Sequence, residues 1–174
     1  MSKVGESQGF VSRDDVEHVS PRRSVGEVLE GVTRRKPRVL VIERAGEPDD
    51  IVDAARFAQV LVQKGAGVED TAPDSLQGLL GRSLDSIQEL LGDARVATVS
   101  GTHLDHDDDA SVQAAGSAYV VEHEGREIGI FFGEDVFSKI TTRPPVFFCK
   151  NGHPNPSVGD GTCGRCPAPI VKTE

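Results

Sequence analysis

The chain has 174 residues, a net charge of −9 and 37% hydrophobic residues, so it can bury a core but repels a phosphate backbone, which makes nucleic acid an unfavoured partner. It has no apolar run of about 18 residues, which excludes a membrane-spanning helix of the usual kind. The N-terminus lacks the apolar core of a secretory signal, and the abundance of Arg, Ala, Gly and Val resembles a GC-rich bacterial coding bias, so we expect a cytoplasmic bacterial protein without a membrane partner.

The first predicted elements lie before residue 44. Residues 1–18 are polar and show no periodicity, which predicts a flexible N-terminal tail. Ser24 and Glu27 form a capping box that begins a helix, and Pro37 ends it. Residues 38–43 form an apolar run rich in β-branched side chains, which indicates a buried strand.

The next predicted elements include both helices and strands. Asp49 and Asp50 can cap a helix that runs to about Lys64, and Asp74 and Ser83 are predicted N-caps of two short helices. The remaining predicted elements are a strand at 95–100, a hairpin of strands at 117–123 and 126–132 closed by Glu124-Gly125, and a short helix at 134–140.

These elements predict an α/β fold in which helices flank a small mixed sheet, with a hairpin around a metal at the C-terminus. We place the α/β domain at residues 19–140. The segment 141–145 contains two consecutive prolines and is predicted to be a stiff linker, because each proline fixes its own φ and restrains the residue before it. Residues 146–174 then form a separate unit.

The C-terminal unit carries a C-x3-H pair and a C-x2-C pair with nine residues between them. Two short-spaced pairs of thiolate and imidazole donors, joined by a hairpin, suit tetrahedral Zn²⁺, and Gly152 and Gly164 allow the tight turns. A structural zinc site supplies about 10–16 kcal/mol, enough to fold a segment with almost no core. The alternatives are redox-active thiols, another metal, or catalytic zinc, which needs an open coordination position. The predicted ligands are Cys149, His153, Cys163 and Cys166.

The C-terminal motif is Cys-x-Asn-Gly-His-x-Asn-Pro followed by Cys-x-x-Cys-x-Ala-Pro. It closely resembles the short zinc ribbons that end many bacterial proteins. The resemblance implies a docking or stabilising appendage, and therefore a protein partner bound through the ribbon. Three cysteines clustered in metal-ligand spacing also suit a reducing cytoplasm better than a disulfide framework.

Two segments of the body share a pattern. Residues 19–44 carry a Val-x-Pro-x-x-Ser-Val entry, a predicted helix and a buried strand, and residues 117–140 carry a strand, a turn, a Gly-apolar-apolar run and a closing helix. This arrangement resembles a degenerate pair of CBS domains, which implies an adenine-nucleotide cleft with Asp135 at the ribose. Phe132 stands where the family has the hydroxyl that contacts a phosphate, so we expect weak nucleotide binding or none. The alternative is an α/β sandwich outside that family.

An acidic run, Thr-His-Leu-Asp-His-Asp-Asp-Asp, follows the strand predicted at 95–100. Because these carboxylates are costly to bury, we interpret it as a solvated loop. The other histidines of the body, His123 among them, are isolated in the sequence and offer no second group of ligands. The alternative is a metal-dependent enzyme that uses His103, Asp105 and His106.

The basic patch formed by Arg22, Arg23 and residues 34–38 has two interpretations. Cations favour the C-terminal end of the predicted helix, and the alternative is an anion-binding site.

No phosphate-binding glycine loop, dinucleotide fingerprint or nucleophile elbow occurs in the sequence, and we predict no catalytic residue. The favoured function is a non-enzymatic regulatory or adaptor protein whose zinc ribbon docks a partner and whose body senses an adenine nucleotide if the CBS resemblance holds. A ligand-independent scaffold subunit is the main alternative. The sequence is also compatible with a homodimer.

Overall fold

The structure, a computed structural model, describes residues 3–65, 75–110, 118–140 and 146–173. This part of the chain is mixed α/β, with five α-helices, three short 3-10 helices and eleven strands in three sheets. The helices are α1 (Val25–Arg35), α2 (Ala54–Gly65), α3 (Leu76–Leu80), α4 (Gln88–Ala94) and α5 (Glu134–Phe137). The strands are β1 (Phe10–Ser12), β2 (Val16–Val19), β3 (Val39–Ile42), β4 (Asp50–Asp53), β5 (Arg95–Thr98), β6 (Leu104–Asp105), β7 (Ala118–His123), β8 (Arg126–Phe132), β9 (Phe147–Cys149), β10 (Pro154–Asn155) and β11 (Ile170–Thr173). Among the described helices, none has the length and apolarity needed to cross a membrane.

The chain forms two compact units, each built from three separate stretches. Unit 1 consists of Met1–Val19, Pro37–Asp53 and Arg95–Thr141, and unit 2 consists of Ser20–Lys36, Ala54–Ala94 and Thr142–Glu174. This grouping differs from the predicted division into 19–140 and 146–174. The predicted linker at 141–145 lies outside the described residues, and independent folding of residues 146–174 stays a prediction.

Unit 1 contains two four-stranded mixed sheets. One has the order β2-β3-β4-β5, with β2 and β3 parallel, and the other has the order β1-β8-β7-β6, with β6 and β7 parallel. Both sheets contribute to one hydrophobic core, which includes Val39, Val41, Ile51, Ile130 and Phe132. This core includes residues of the β7–β8 hairpin, whereas Leu104 of β6 belongs to a second core with Val4, Val121 and Phe131.

Several local predictions are confirmed. Ser24 begins α1, and its side-chain oxygen accepts a hydrogen bond from the backbone N–H of Glu27 at 3.2 Å. Strands β3, β5, β7 and β8 lie where apolar runs predicted them. In the β7–β8 turn, Glu124 and Gly125 both have positive φ, 54° and 79°, as a two-residue hairpin turn of this kind requires.

The N-terminal segment differs from the predicted flexible tail. In its described part, β1 pairs with β8 and β2 pairs with β3, while Val4 and Val11 are buried. Strands of three and four residues are too short to show a period of two, and their partners are distant in sequence. Local patterning therefore could not reveal them.

The second predicted helix begins later than its sequence caps suggested. Asp50–Asp53 is strand β4, which pairs with β3 so that Ile51 lies opposite Val41, and α2 starts at Ala54. An apolar pair between two Asp residues fits a strand as well as a first helical turn, and the non-local pairing with β3 decides between them. The predicted cap at Asp74 lies outside the described residues. Helix α3 has Ser75 as its N-cap, whose oxygen accepts the Gly78 N–H.

Unit 2 combines helices α1–α4 with the three-stranded antiparallel sheet β10-β9-β11. Helix α2 contacts α1, α3, α4 and β11. Its side chains Phe57 and Leu61 are buried, as are Phe147 and Ile170 of the small sheet. The sheet that carries the cysteines is therefore packed against a helix of the same unit.

Candidate metal centre

The four predicted ligands meet at one end of the β10-β9-β11 sheet. Cys149 ends β9, His153 precedes β10, and Cys163 and Cys166 lie in the turn before β11. Their donor atoms all lie within 4.8 Å of one another, an arrangement that could hold a metal ion. The Cys149 and Cys166 sulfurs are 3.8 Å apart, and the Cys163 sulfur is 3.8 Å from Nδ1 of His153.

Backbone hydrogen bonds close the two turns around these donors. In the first turn, the Gly152 N–H donates to the Cys149 carbonyl, and the Cys149 N–H donates to the carbonyl of His153. In the second turn, the Cys163 N–H donates to the carbonyl of Ala168. The donors are thus fixed by the backbone on both sides of the site.

The sulfurs accept hydrogen bonds that favour the thiolate form. The His153 N–H donates to the Cys149 sulfur at 3.3 Å, and the Arg165 N–H donates to the Cys163 sulfur at 3.2 Å. Burial by itself raises the pKa of Cys163, but hydrogen bonds from Asn155 and from the backbone lower that pKa to about 6. Cys163 is therefore prepared to bind a metal as a thiolate.

The pKa of Cys166 moves in the opposite direction. The backbone N–H of Ala168 lowers this pKa, but burial and the neighbouring thiols of Cys149 and Cys163 outweigh that bond and raise it. Three sulfurs this close disfavour a third negative charge. A cation at their centre would remove that penalty.

Asn155 is a buried side chain that sequence reasoning did not single out. Its amide nitrogen donates to the carbonyl of His153 at 3.0 Å and to the Cys163 sulfur at 3.5 Å, and its Oδ1 accepts the Gly164 N–H at 2.9 Å. One side chain therefore joins the two ligand pairs. Its position between the two prolines of the His-Pro-Asn-Pro motif was the available signal.

The two glycines of the turns have different roles. Gly152 has a φ of +84°, where a side chain would be strained, while Gly164 is not in that region. A Cβ on Gly164 would meet only Oδ1 of Asn155, at an ordinary 3.6 Å. The sequence prediction that both turns need glycine is supported by backbone strain only at Gly152.

The acidic loop, residues 102–109, has an arrangement that the sequence did not predict. His123 at the end of β7 is not isolated, because its ring centroid lies 5.0 Å from that of His106. His106, Asp107 and His123 form a second group whose donor atoms lie within 4.8 Å of one another. His103 and Asp105 of the alternative enzyme site are engaged elsewhere: His103 contacts Glu122 at 2.8 Å, and a carboxylate oxygen of Asp105 accepts the Asp107 N–H.

Asp135, the residue that the CBS resemblance places at a ribose, lines a cavity of about 520 Å³ in unit 1. Gly133, Glu134 and Phe132 also line it, and no Lys or Arg is found among the described lining residues. Phe132 is fully buried in the core. Two carboxylates and no cation make this cavity unfavourable for a phosphate.

The basic patch is partly neutralised by acids on α1. Arg34 pairs with Glu30, and Arg23 pairs with Glu27 at 3.5 Å, both in the i,i+4 arrangement. These pairs support the interpretation as a helix surface rather than an anion site.

Comparison of the chain with protein-family models, with curated proteins and with solved structures gives no match.

Proposed function

We propose that Cys149, His153, Cys163 and Cys166 hold one structural Zn²⁺, and that residues 146–173 are a zinc ribbon. The observation that carries the proposal is the sulfur–sulfur distance of 3.8 Å between Cys149 and Cys166. Two thiolates bound to one tetrahedral zinc at about 2.3 Å lie about 3.8 Å apart, whereas a disulfide has sulfurs at about 2.05 Å. All three cysteines are free.

A structural role is supported by the completeness of the donor set. Four protein donors fill a tetrahedral shell and leave no position for water or substrate, unlike the three-ligand sites of zinc enzymes. Cys149 and Cys163 are buried, and the N–H groups that surround the sulfurs resemble the outer-shell bonds that orient metal ligands. We therefore propose a non-enzymatic role for this site.

X-ray absorption at the zinc edge tests this coordination. On protein with one zinc per chain, we expect about three sulfurs at about 2.3 Å and one nitrogen at about 2.0–2.1 Å. A spectrum with an additional oxygen shell, or with fewer than three sulfurs, would contradict a closed structural site.

We further propose that the ribbon docks a protein partner in a regulatory or adaptor role. Its exposed residues include three cations, Lys150, Arg165 and Lys172, and one described acid, Asp160, on a chain of net charge −9. These side chains suit a partner with an acidic surface. Capture of a partner that is lost when Lys150 and Arg165 become Glu, while zinc content is retained, tests the proposal. Undiminished capture by that variant would contradict it.

Adenine-nucleotide sensing by the body is a second candidate function, supported by the position of Asp135 on a cavity. The lining charge and the buried Phe132 argue for weak binding or none.

A further inference from the structure

We propose that His106, Asp107 and His123 form a second metal site, for a divalent cation that binds imidazole, such as Zn²⁺ or Ni²⁺. Two imidazoles and one carboxylate are a donor set that suits such cations, and their donor atoms lie within 4.8 Å of one another. Ligands that share a metal at about 2.1 Å lie about 3.4 Å apart, so small side-chain rotations bring the three together.

Strand register brings the two histidines together. In the parallel pair β6–β7, Asp105 lies opposite Glu122, so the next residues along the two strands are His106 and His123. The His106 N–H donates to the carbonyl of Glu122 at 2.9 Å and continues the ladder. The two rings are therefore neighbours because of the fold and not because of their sequence spacing.

Besides its contact with β7, His106 is held in place by Gly5 of the N-terminal segment. The Gly5 N–H donates to the carbonyl of His106 at 3.0 Å, and the imidazole occupies the space where residue 5 would carry a side chain. A Cβ at position 5 would overlap the ring. His106 is half-buried in this place, while Asp107 and His123 are exposed, so a cation can reach the site from solvent.

Asp107 lies in the loop that follows β6, where its carboxylate is close to His106. The neighbouring acids Asp105 and Asp108 instead accept backbone hydrogen bonds within that loop. A carboxylate oxygen of Asp108 accepts the Asp105 N–H at 2.8 Å, and one of Asp105 accepts the Asp107 N–H at 2.9 Å. Asp107 itself lies 3.3 Å from Nδ1 of His106 and 3.1 Å from the Lys3 ammonium. Lys3 is thus the cation that a metal would compete with at Asp107.

Zinc titration by calorimetry tests this site on the full chain, with the cysteine site already filled. We expect one further equivalent, bound more weakly than the first, because three protein donors leave a position for water. His123→Ala changes an exposed side chain and should weaken this binding roughly tenfold or more. His103→Ala is the matched control, since this exposed histidine of the same loop pairs with Glu122, and it should leave the affinity within about twofold.

Two further measurements locate the site independently of any loss of folding. Substoichiometric Ni²⁺ should broaden the amide signals of Gly5, His106 and His123 before others. Lys3→Met should strengthen binding about two- to fivefold, because it removes the competing ammonium. Absence of a second equivalent would overturn the proposal, as would binding that His123→Ala leaves unchanged or that His103→Ala weakens equally.

Discussion

The two groups of candidate metal ligands differ in how the chain assembles them. The cysteine group draws four donors from one stretch of 18 residues, in two turns closed by their own backbone hydrogen bonds. The histidine group draws three donors from the end of β7 and the loop that follows β6, and depends on the register between β6 and β7. The ligands of the cysteine group are therefore close together in the sequence, whereas those of the histidine group come together only when the chain folds.

The cysteine group and the histidine group also differ in burial and in the chemistry of their donor atoms. Cys149 and Cys163 are buried and accept N–H bonds, and the crowding of three sulfurs disfavours a third negative charge unless a cation lies among them. Asp107 and His123 are exposed and remain well solvated without a metal. We therefore expect metal binding and folding to be coupled at the cysteine group, whereas a metal at the histidine group would be an optional ligand.

Cys163→Ser should have the largest effect and tests this coupling directly. Loss of a ligand removes a large part of the about 10–16 kcal/mol available from structural zinc, so residues 146–173 should unfold. Because β11 contacts α2, the amides of α2 should also lose protection from hydrogen exchange. Exchange in β7 and β8 of unit 1 should change little.

Arg165→Ala is the control for that variant. This exposed side chain lies between the two cysteines, and the substitution retains the backbone N–H that donates to Cys163. It should keep the zinc and the exchange pattern of the parent. If α2 keeps its protection in Cys163→Ser while 146–173 unfolds, the C-terminal segment is an independent domain, as the sequence analysis predicted.

Asn155→Ala should have the next largest effect. It leaves the Gly164 N–H without its acceptor and removes a donor to Cys163, which should cost about 1–3 kcal/mol of unfolding free energy. Zinc affinity should fall about 10–100-fold, as for other outer-shell partners. Denaturant unfolding and competition with a chelating dye measure the two quantities.

Asn151→Ala is the matched control. Asn151 is exposed and makes one bond to the Cys166 sulfur at 3.5 Å, so its loss should stay within about 0.5 kcal/mol. Equal effects of the two substitutions would show that Asn155 does not join the ligand pairs in the way described.

Gly152→Ala should lower the unfolding free energy by a smaller amount. The positive φ of Gly152 makes a side chain cost about 1–2 kcal/mol, which chemical denaturation of the zinc-bound protein would detect. Gly164→Ala should be neutral or stabilising by up to about 1 kcal/mol, because it restricts the unfolded chain without strain in the folded one. Destabilisation of the same size at both positions would contradict the distinction.

The smallest expected effect is that of adenine nucleotides on unit 1. At 100 times the dissociation constant, a ligand would add about 2.7 kcal/mol to the unfolding free energy, which a melting assay detects easily. We expect no shift with AMP or ATP, because Glu134 and Asp135 line the cavity without a described cation. Adenosine, which carries no phosphate, separates charge repulsion from the absence of a base site. A shift with ATP that Asp135→Ala removes would establish nucleotide sensing.

Sequence patterns predicted the features whose causes are local. The four cysteine-site ligands follow from short spacing, helix α1 from the Ser24 cap, and the β7–β8 hairpin from a turn that needs Gly125. Each depends on residues within a few positions of one another. For such features, the chemistry of neighbouring residues is sufficient for a correct prediction.

The features that the sequence did not reveal depend on distant pairings. Strand β1 is three residues long and is defined by its pairing with β8, and β4 is a strand because it lies between β3 and β5. His123 meets His106 through the β6–β7 register, and the buried role of Asn155 depends on the closure of both turns. No periodicity within one segment contains that information.

The zinc content of protein purified without added metal and dialysed against metal-free buffer is the decisive measurement for the cysteine site. We expect one zinc per chain, with three thiols that react with a thiol reagent only after a chelator removes the metal. The weaker histidine site would lose its metal during dialysis. Less than about half an equivalent of zinc, together with thiols that react freely before chelation, would contradict a structural zinc site at Cys149, His153, Cys163 and Cys166.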